Sequence, residues 1–232
     1  MAGLLTILVL GGTWSWPADF ADQVVDSGAD LVDRPCSGSL LCGAALSAAA
    51  FIIEPDGGCA GFMGQGLPEK LSREADPVFG PGAMAACPAT WAAGAVSGSG
   101  SLEETGRDLT AGMFLTYAVV GAMKLGIERE RPDRSDSMSF PSAHSASAAC
   151  IAAVLWERYG PWAGIPAAAV ASAVALSRIQ IGEHYPSDVV AGLAIGAACG
   201  IAAARNGGRS DAAGGLLIGI EFRGGRAGVI LR

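Results

Sequence analysis

Charged residues are scarce in this chain and hydrophobic ones abundant, at 16% and 51% of the residues, which is unusual for an ordinary soluble protein. Its net charge is −7, and its arginines are scattered, with no dense basic run and no interleaved aromatic residues. This distribution argues against nucleic acid as a partner, because a clustered basic surface is the usual mark of nucleic-acid binding. A single compact, apolar domain is expected.

The cysteines also lack the patterns of a metal site. None forms a C-x-x-C pair, and neither histidine lies near a cysteine at metal-ligand spacing, so we expect no metal ion. Cys150 and Cys199 fall in apolar segments, where they are expected to be small core residues. If the loop 54–81 lies outside the cytoplasm, we hypothesise a disulfide between Cys59 and Cys87. The other two cysteines are Cys36 and Cys42.

The chain is predicted to fold as an all-α, six-helix bundle with a short C-terminal β-hairpin. Alanine-rich apolar segments separated by Gly, Pro or polar connectors favour helices. The six segments are Leu40–Ile53, Ala83–Val96, Leu109–Leu125, Ala143–Trp156, Trp162–Ile179 and Val189–Ala204. Stop signals are found at Pro55, Pro132, Gly160-Pro161 and Asn206-Gly207.

Three regions are expected along the chain. Residues 1–39 combine an apolar opening, two tryptophans and an acidic amphipathic stretch with helical spacing at Ala18–Asp33. The opening lacks a basic n-region and a clear small-x-small cleavage site, so a signal, an anchor and a first helix all remain open. Residues 40–209 form the helical domain, and residues 210–232 form a Gly-rich tail whose alternation favours the hairpin.

Whether the helices cross a membrane depends on length and packing, since a span needs about 20 apolar residues and several segments are shorter. Gly192, Gly196 and Gly200 recur every four residues, a stripe typical of close packing between membrane helices. Close packing in a soluble bundle explains the same stripe, but we favour a membrane protein.

If all six segments span, counting them places the two polar regions 124–142 and 178–188 on one side with the loop 54–81. On the other side lie Arg107, Arg158, Arg205 and Arg209. The positive-inside rule then makes the arginine side cytoplasmic. We therefore expect a bacterial-type inner-membrane protein with its site facing the periplasm or exterior, a soluble periplasmic protein being the alternative.

The only two histidines, His144 and His184, each lie in a short polar cluster within Ala- and Gly-rich sequence. Between Lys124 and Asp188 the chain brings together three cations, two imidazoles and one carboxylate. Such a set is suited to binding a tetrahedral oxyanion and attacking it, so it predicts a phosphate site.

The clusters follow three ordered patterns: Lys124, six residues, Arg131-Pro132; then Pro141-Ser142-Ala143-His144; then Ser177-Arg178, five residues, His184, three residues, Asp188. In order and spacing they resemble the signature of the type-2 phosphatidic acid phosphatase superfamily. That superfamily includes bacterial lipid phosphatases, class A acid phosphatases and vanadium haloperoxidases. Ala143 stands where the family usually has glycine. Three motifs with fixed internal gaps are far more specific than any one of them.

The resemblance implies a role for each of these residues. His184 is expected to be the nucleophile, with Asp188 fixing its tautomer and stabilising the charge on its ring. His144 is expected to act as general acid and then as general base. Ser142 is the expected N-cap of a helix whose first N–H groups, near Ala143 and His144, point at the phosphate. The expected phosphate-binding cations are Lys124, Arg131 and Arg178.

Other polar residues lie close to these motifs. Four in the connector between the first two motifs are interpreted as a solvated loop rather than as substrate contacts: Arg129, Asp133, Arg134 and Asp136. Pro186 is expected to begin a helix, so His184 and Asp188 need not share one helical face. Glu183 and Tyr185 flank the nucleophile and receive no role.

The predicted function is hydrolysis of a phosphomonoester or pyrophosphate, foremost that of a lipid, through a phosphohistidine and without a cofactor. A membrane and a lipid phosphate or small phosphomonoester are the expected partners, and vanadate is an expected inhibitor. One alternative is a soluble periplasmic acid phosphatase. A second is a haloperoxidase with vanadate as cofactor, for which the chain is short. A third is a non-catalytic membrane protein, which would not need both histidines and Asp188.

Overall fold

Seven helices form the described part of this computed structural model. It describes residues 7–9, 12–14, 18–33, 36–53, 78–210, 218–223 and 226–231. The helices are α1 (Ala18–Asp33), α2 (Cys36–Ile53), α3 (Ala83–Ser97), α4 (Gly100–Ile127), α5 (Ala143–Tyr159), α6 (Pro161–Gln180) and α7 (Pro186–Ser210). A π-helical turn, Val78–Gly82, precedes α3. The all-α class is confirmed, but the count of six is wrong because α1 is a further helix.

Two short antiparallel strand pairs lie toward the ends of the chain. Strands β1 (Ile7–Val9) and β2 (Gly12–Trp14) form the first pair, which the sequence did not predict. Strands β3 (Ile218–Arg223) and β4 (Arg226–Leu231) form the second, in the tail where a hairpin was expected.

Helix α1 joins the bundle through buried polar contacts. Gln23 is 1% exposed, and its Nε2 donates to Asp108 Oδ1 at 2.8 Å and to the Ala203 carbonyl at 3.0 Å. On the same helix, Asp30 accepts from Asn206 Nδ2 at 3.0 Å. These bonds attach an acidic amphipathic helix to α4 and α7. The proposed division at residues 39 and 209 stays a prediction.

The glycine stripe of α7 packs directly on the backbone of α5. A Cβ added at Gly192 would lie 2.4 Å from the Ser142 carbonyl oxygen, and one at Gly196 would lie 1.9 Å from that of Ala146. One turn further, Gly200 faces Cys150 in the same way. The residue numbers rise together along both helices, so α5 and α7 are parallel. Their N-termini, which carry His144 and Asp188, therefore lie at the same end of the bundle.

The opposite end is held by ion pairs. The buried Asp108 accepts from Arg158 Nε at 2.6 Å, and Arg158 also binds Glu104 at 2.6 Å. Arg205 pairs with Glu157 at 3.1 Å, and Arg107 donates to the Gly207 carbonyl at 2.6 Å. The described side chains confirm the predicted separation of these arginines from the motifs. The side chain of Arg209 is not among the described ones.

Two helices are longer than predicted because of these contacts. Helix α4 begins at Gly100 rather than at Leu109, since its charged first turns are partnered by Arg158. Helix α7 continues through the expected stop at Asn206-Gly207 to Ser210. There Asn206 Nδ2 donates to the carbonyl of Ala202, four residues earlier in the same helix, and to Asp30 on α1.

Three helical segments in the described residues are long and apolar enough to cross a membrane: Gly100–Ile127, Pro161–Gln180 and Pro186–Gly207. Leu40–Ile52 is a shorter apolar helical segment. Large apolar side chains are also exposed on the outer surface, including Val96 at 89% and Trp162 at 92%. Soluble proteins seldom expose so much apolar surface, whereas a lipid-facing surface is expected to do so.

The cysteines behave as small apolar residues where they are described. Cys150 and Cys199 are fully buried, which confirms their prediction as core residues. Cys87 is a free, buried thiol, and burial is sufficient to explain its position on α3. Cys59, its hypothesised disulfide partner, lies outside the described residues.

Candidate active site

The start of α5 forms one wall of the site. Ser142 caps the helix as predicted: its backbone is extended (φ −71°, ψ 114°), and its hydroxyl accepts from the Ser145 N–H at 3.5 Å. Its own N–H donates to the Asp188 carbonyl at 3.0 Å, which ties α5 to α7. Ala143 is the first residue of α5 and has no positive φ. Its methyl group therefore introduces no backbone strain.

His144 lies half-buried one residue into α5, against the π-helical turn. A Cβ added at Gly80 of that turn would lie 2.9 Å from His144 Nε2. The turn is held in place because Tyr117 donates to the Gly80 carbonyl at 3.3 Å and Ser147 donates to that of Phe79 at 2.5 Å. Only glycine allows the backbone to approach the imidazole this closely. Gly80 is a residue of the site that the sequence motifs did not predict.

The pKa of His144 is lowered from its ordinary value, and burial is the largest cause because it disfavours the charged imidazolium. The negative charge of Glu183 acts against this shift, and the positive charges of Arg131 and Lys124 add to it. The ring is therefore within electrostatic reach of residues from the other two motifs.

His184 lies in the short loop between α6 and α7 and is 2% exposed. Its Nδ1 is 3.7 Å from Asp188 Oδ2, beyond hydrogen-bond length. Within the described residues this buried Nδ1 has no hydrogen-bond partner. Burial lowers the pKa of His184, while Asp188 acts in the opposite direction. Pro186 begins α7, so the pair spans a loop and a helix start, as expected.

Asp188 is fully buried and held from several sides. Its Oδ1 accepts from the Arg129 guanidinium at 2.5 Å. Its Oδ2 accepts from the Tyr185 N–H at 2.9 Å and from the Ser139 hydroxyl. The oxygen that faces His184 is thus fixed by the connector before α5 and by the first turn of α7.

Arg129 corrects the interpretation of the connector as a solvated loop. Besides Asp188, it donates to the Ser187 hydroxyl at 2.7 Å. Its guanidinium carbon lies 3.9 Å from the centroid of the Tyr185 ring and 5.0 Å from that of Phe51. Arg134 and Asp133 are exposed as expected. Arg129 falls in the six-residue gap of the first motif and Arg134 follows that motif, but only the fold shows that Arg129 contacts Asp188.

The three expected phosphate-binding cations lie at the same end. Arg178 is fully buried in the last turn of α6, and Arg131 lies in the connector. Each places an Nη1 atom 3.5 Å from Glu183 Oε2, so this carboxylate bridges the two arginines. Arg131 also binds Asp136 at 2.8 Å. Lys124, in the last turn of α4, donates to the Met138 carbonyl.

The structure thus gathers every predicted site residue at one end of the bundle. The charges of Arg131 and Lys124 affect both imidazoles, and the backbone bond from Ser142 to Asp188 joins the second motif to the third. The arrangement provides a half-buried imidazole, a buried imidazole facing a carboxylate, and several cations around them. Two imidazoles and fixed cations can support nucleophilic and acid–base chemistry on a phosphate.

An apolar groove of about 710 Å³ adjoins this site. It lies between α2, α4 and α7, with Phe51, Met123 and Ile195 among its lining residues. Arg129 and Ser187, which contact the Asp188 side of the site, also line it. A polar site and a long apolar groove therefore share a wall.

A family model for the PAP2 superfamily matches residues 106–212, which contain all three motifs. The match confirms the resemblance noted in the sequence of this part of the chain.

Three relatives show how far the similarity extends. Decaprenylphosphoryl-5-phosphoribose phosphatase of Mycobacterium tuberculosis is 38% identical over 100 residues, which cover 39% of this chain and 54% of the relative. Lipid A 1-phosphatase of Porphyromonas gingivalis is 39% identical over 88 residues, covering 37% and 20%. Phosphatidylglycerophosphatase B of Bacillus subtilis is 34% identical over 89 residues, covering 32% and 44%. The chain matches about half, or less, of the length of these relatives.

A solved structure shares the fold. The transmembrane PAP2-type phosphatidylglycerolphosphate phosphatase from Bacillus subtilis superposes with a TM-score of 0.50 at 21% identity. The match covers 79% of this chain and 90% of the other. The helical architecture of this chain is therefore that of a membrane PAP2 protein.

Proposed function

We propose that this chain is a metal-independent phosphatase that hydrolyses the phosphomonoester or pyrophosphate of a lipid through a phosphohistidine. The observation that carries the proposal is the site itself: His184 facing Asp188, with His144 and three cations at the same end, beside an apolar groove. The three relatives, which are named as phosphatases of lipid phosphates, support the substrate class.

In the first step, Nε2 of neutral His184 attacks phosphorus, and the bond from phosphorus to the leaving oxygen breaks. Protonated His144 gives its proton to that oxygen, so the leaving group departs as a neutral hydroxyl. Asp188 stabilises the positive charge that develops on the His184 ring. Burial lowers the pKa of His184 and so favours the unprotonated nitrogen that a nucleophile requires.

In the second step, a water molecule hydrolyses the phosphohistidine. Neutral His144 takes a proton from the water, whose oxygen attacks phosphorus while the bond from phosphorus to Nε2 breaks. Inorganic phosphate leaves, and both histidines return to their starting protonation states. Throughout, Lys124, Arg131 and Arg178 neutralise the phosphoryl oxygens, where transition-state charge resides.

The groove accounts for the lipid part of the substrate. Its apolar lining begins at Arg129 and Ser187, next to the catalytic carboxylate, so a chain attached to the phosphate can lie along α2, α4 and α7. Such a lining can receive an acyl or prenyl chain from the bilayer without exposing the chain to water. By the positive-inside rule, the arginines at the far end of the bundle support a cytoplasmic location for that end and an exterior location for the site.

Phosphate release from short-chain phosphatidate in EDTA tests the proposal. We expect release by the native protein, inhibition by vanadate and loss of activity in His184→Ala. Release only from a soluble phosphomonoester would favour an acid phosphatase instead. The absence of release from phosphatidate, a prenyl pyrophosphate and a soluble phosphomonoester would refute the phosphatase function and favour a haloperoxidase or a non-catalytic protein.

A further inference from the structure

We infer that Arg129 is a positioning residue that holds the Asp188 carboxylate with Oδ2 toward His184, and so sets the tautomer of the nucleophile. The kinetic part of this inference rests on the proposed function. The structural part rests on the contacts of Arg129, which falls in the six-residue gap of the first motif and is not one of its signature residues.

The hydrogen bonds of Asp188 show why its orientation depends on Arg129. Oδ1 accepts from Arg129 at 2.5 Å, whereas Oδ2 accepts from Ser139 and the Tyr185 N–H and faces the imidazole. A rotation of the carboxylate would break the ion pair at a fully buried position. Leaving a buried charge without its partner is strongly unfavourable, so the pair resists that rotation.

Arg129 is itself held on several sides. Its guanidinium lies over the Tyr185 ring, near Phe51, and bonds to the Ser187 hydroxyl. Tyr185 and Ser187 are the chain neighbours of His184 and Asp188, so the arginine contacts the segment that carries both catalytic groups. A planar guanidinium can stack and donate at once, whereas a lysine ammonium is a point charge without a stacking face.

The tautomer of His184 follows from this orientation. With Oδ2 facing Nδ1, the proton of the neutral ring is favoured on Nδ1, which leaves Nε2 free to attack. The distance between Nδ1 and Asp188 Oδ2 is 3.7 Å, and Nδ1 has no other partner in the described residues. The preference for a proton on Nδ1 therefore depends on the carboxylate keeping its orientation. Loss of Arg129 should therefore allow the inactive tautomer, protonated on Nε2.

Kinetics of Arg129→Met and Arg129→Lys test the role, with Arg134→Met as the control because Arg134 is an exposed arginine of the same connector. Each protein is assayed on short-chain phosphatidate and on p-nitrophenyl phosphate, which has no lipid chain. For Arg129→Met we expect kcat to fall about 10- to 100-fold on both substrates. We expect its KM to change by less than about twofold, with Arg129→Lys intermediate and Arg134→Met unchanged. A rise in KM for phosphatidate alone would overturn the inference and make Arg129 a lipid contact of the groove.

The tautomer is measured directly by ¹⁵N NMR of histidine-labelled protein in detergent micelles. The chain has only two histidines, so His144→Gln assigns both signals. We expect His184 to be protonated on Nδ1 in the native protein and Arg134→Met, and to show both tautomers in Arg129→Met. A His184 signal that stays in the Nδ1-protonated form in Arg129→Met would refute the inference.

These measurements separate the inference from the proposed function. The NMR spectrum can be recorded on an inactive protein. If the native protein hydrolyses neither substrate, the proposed phosphatase function is refuted, but the tautomer of His184 in Arg129→Met still tests the role of Arg129. The His144 signal reports whether a variant is folded, because its ring lies against the separate turn at Gly80. If Arg129→Met does not fold, the tautomer of His184 is measured in Arg129→Lys instead. There we expect a smaller fraction of the Nε2-protonated form than in Arg129→Met.

Discussion

Replacing Gly196 with alanine should separate the two helices that carry His144, the proposed general acid, and Asp188, the proposed partner of His184. The added Cβ would lie 1.9 Å from the Ala146 carbonyl oxygen and 2.9 Å from the Ala146 Cα. Both obstacles are backbone atoms, which cannot rotate away as the end of a side chain can. To restore ordinary contact, α5 and α7 must move apart by about 1.5 Å at this point.

The expected loss of stability combines two opposing effects. Overpacking a close helix contact costs typically about 1–3 kcal/mol, and a backbone obstacle places this case at the upper end. Alanine offsets about 1 kcal/mol through its higher helix propensity. We therefore expect a net loss of about 2 kcal/mol, or a fall in Tm of about 4–8 °C for a chain of this size.

Thermal unfolding in detergent micelles measures this loss, with Gly121→Ala in α4 as the matched control. No atom of the described residues lies within 4 Å of a Cβ added at Gly121, so the substitution should raise Tm by about 2–4 °C. We also expect kcat to fall in Gly196→Ala, since Ala146 lies just after His144 on α5. A Gly196→Ala protein as stable as Gly121→Ala would refute the close packing of α5 on α7.

Three further predictions concern the site. Gly80→Ala would place a methyl group 2.9 Å from His144 Nε2. We therefore expect kcat on short-chain phosphatidate to fall about tenfold or more while Tm changes little. An unchanged kcat would contradict the contact between Gly80 and His144. The pH profile of kcat/KM requires His184 neutral and His144 protonated, and burial lowers the pKa of both below 6.5, so we expect an optimum on the acid side of 6.5. Because Glu183 raises the pKa of His144, Glu183→Gln should move the upper limb of that profile to lower pH, and a shift to higher pH would be evidence against this assignment. Ala143→Gly should leave kcat within about twofold of the native value and lower the stability by at most about 1 kcal/mol, because Ala143 has no positive φ; a large gain in kcat would show that the methyl group obstructs the phosphate.

The six apolar helices could be predicted because each carries its own signal, a run of helix-favouring residues between Gly or Pro stops. Helix α1 was recognised by its spacing but not counted in the bundle, because Gln23 joins it to Asp108 and Ala203 across a long stretch of chain. The starting point of α4 was missed for the same reason. Its charged first turns look like a connector until Arg158 is placed beside them.

The sequence by itself determined which residues compose the candidate site, because two histidines, one aspartate and three cations at fixed gaps form a pattern that local spacing can carry. It also determined the N-cap at Ser142 and the helix start at Pro186, which depend only on neighbouring residues. Only the tertiary structure decided that Gly80 lies against His144 and that Arg129, not Arg134, holds Asp188. Burial and ion pairing depend on distances between elements far apart in the chain, and the position of Arg129 in the gap of the first motif does not show that a carboxylate 59 residues later lies beside it.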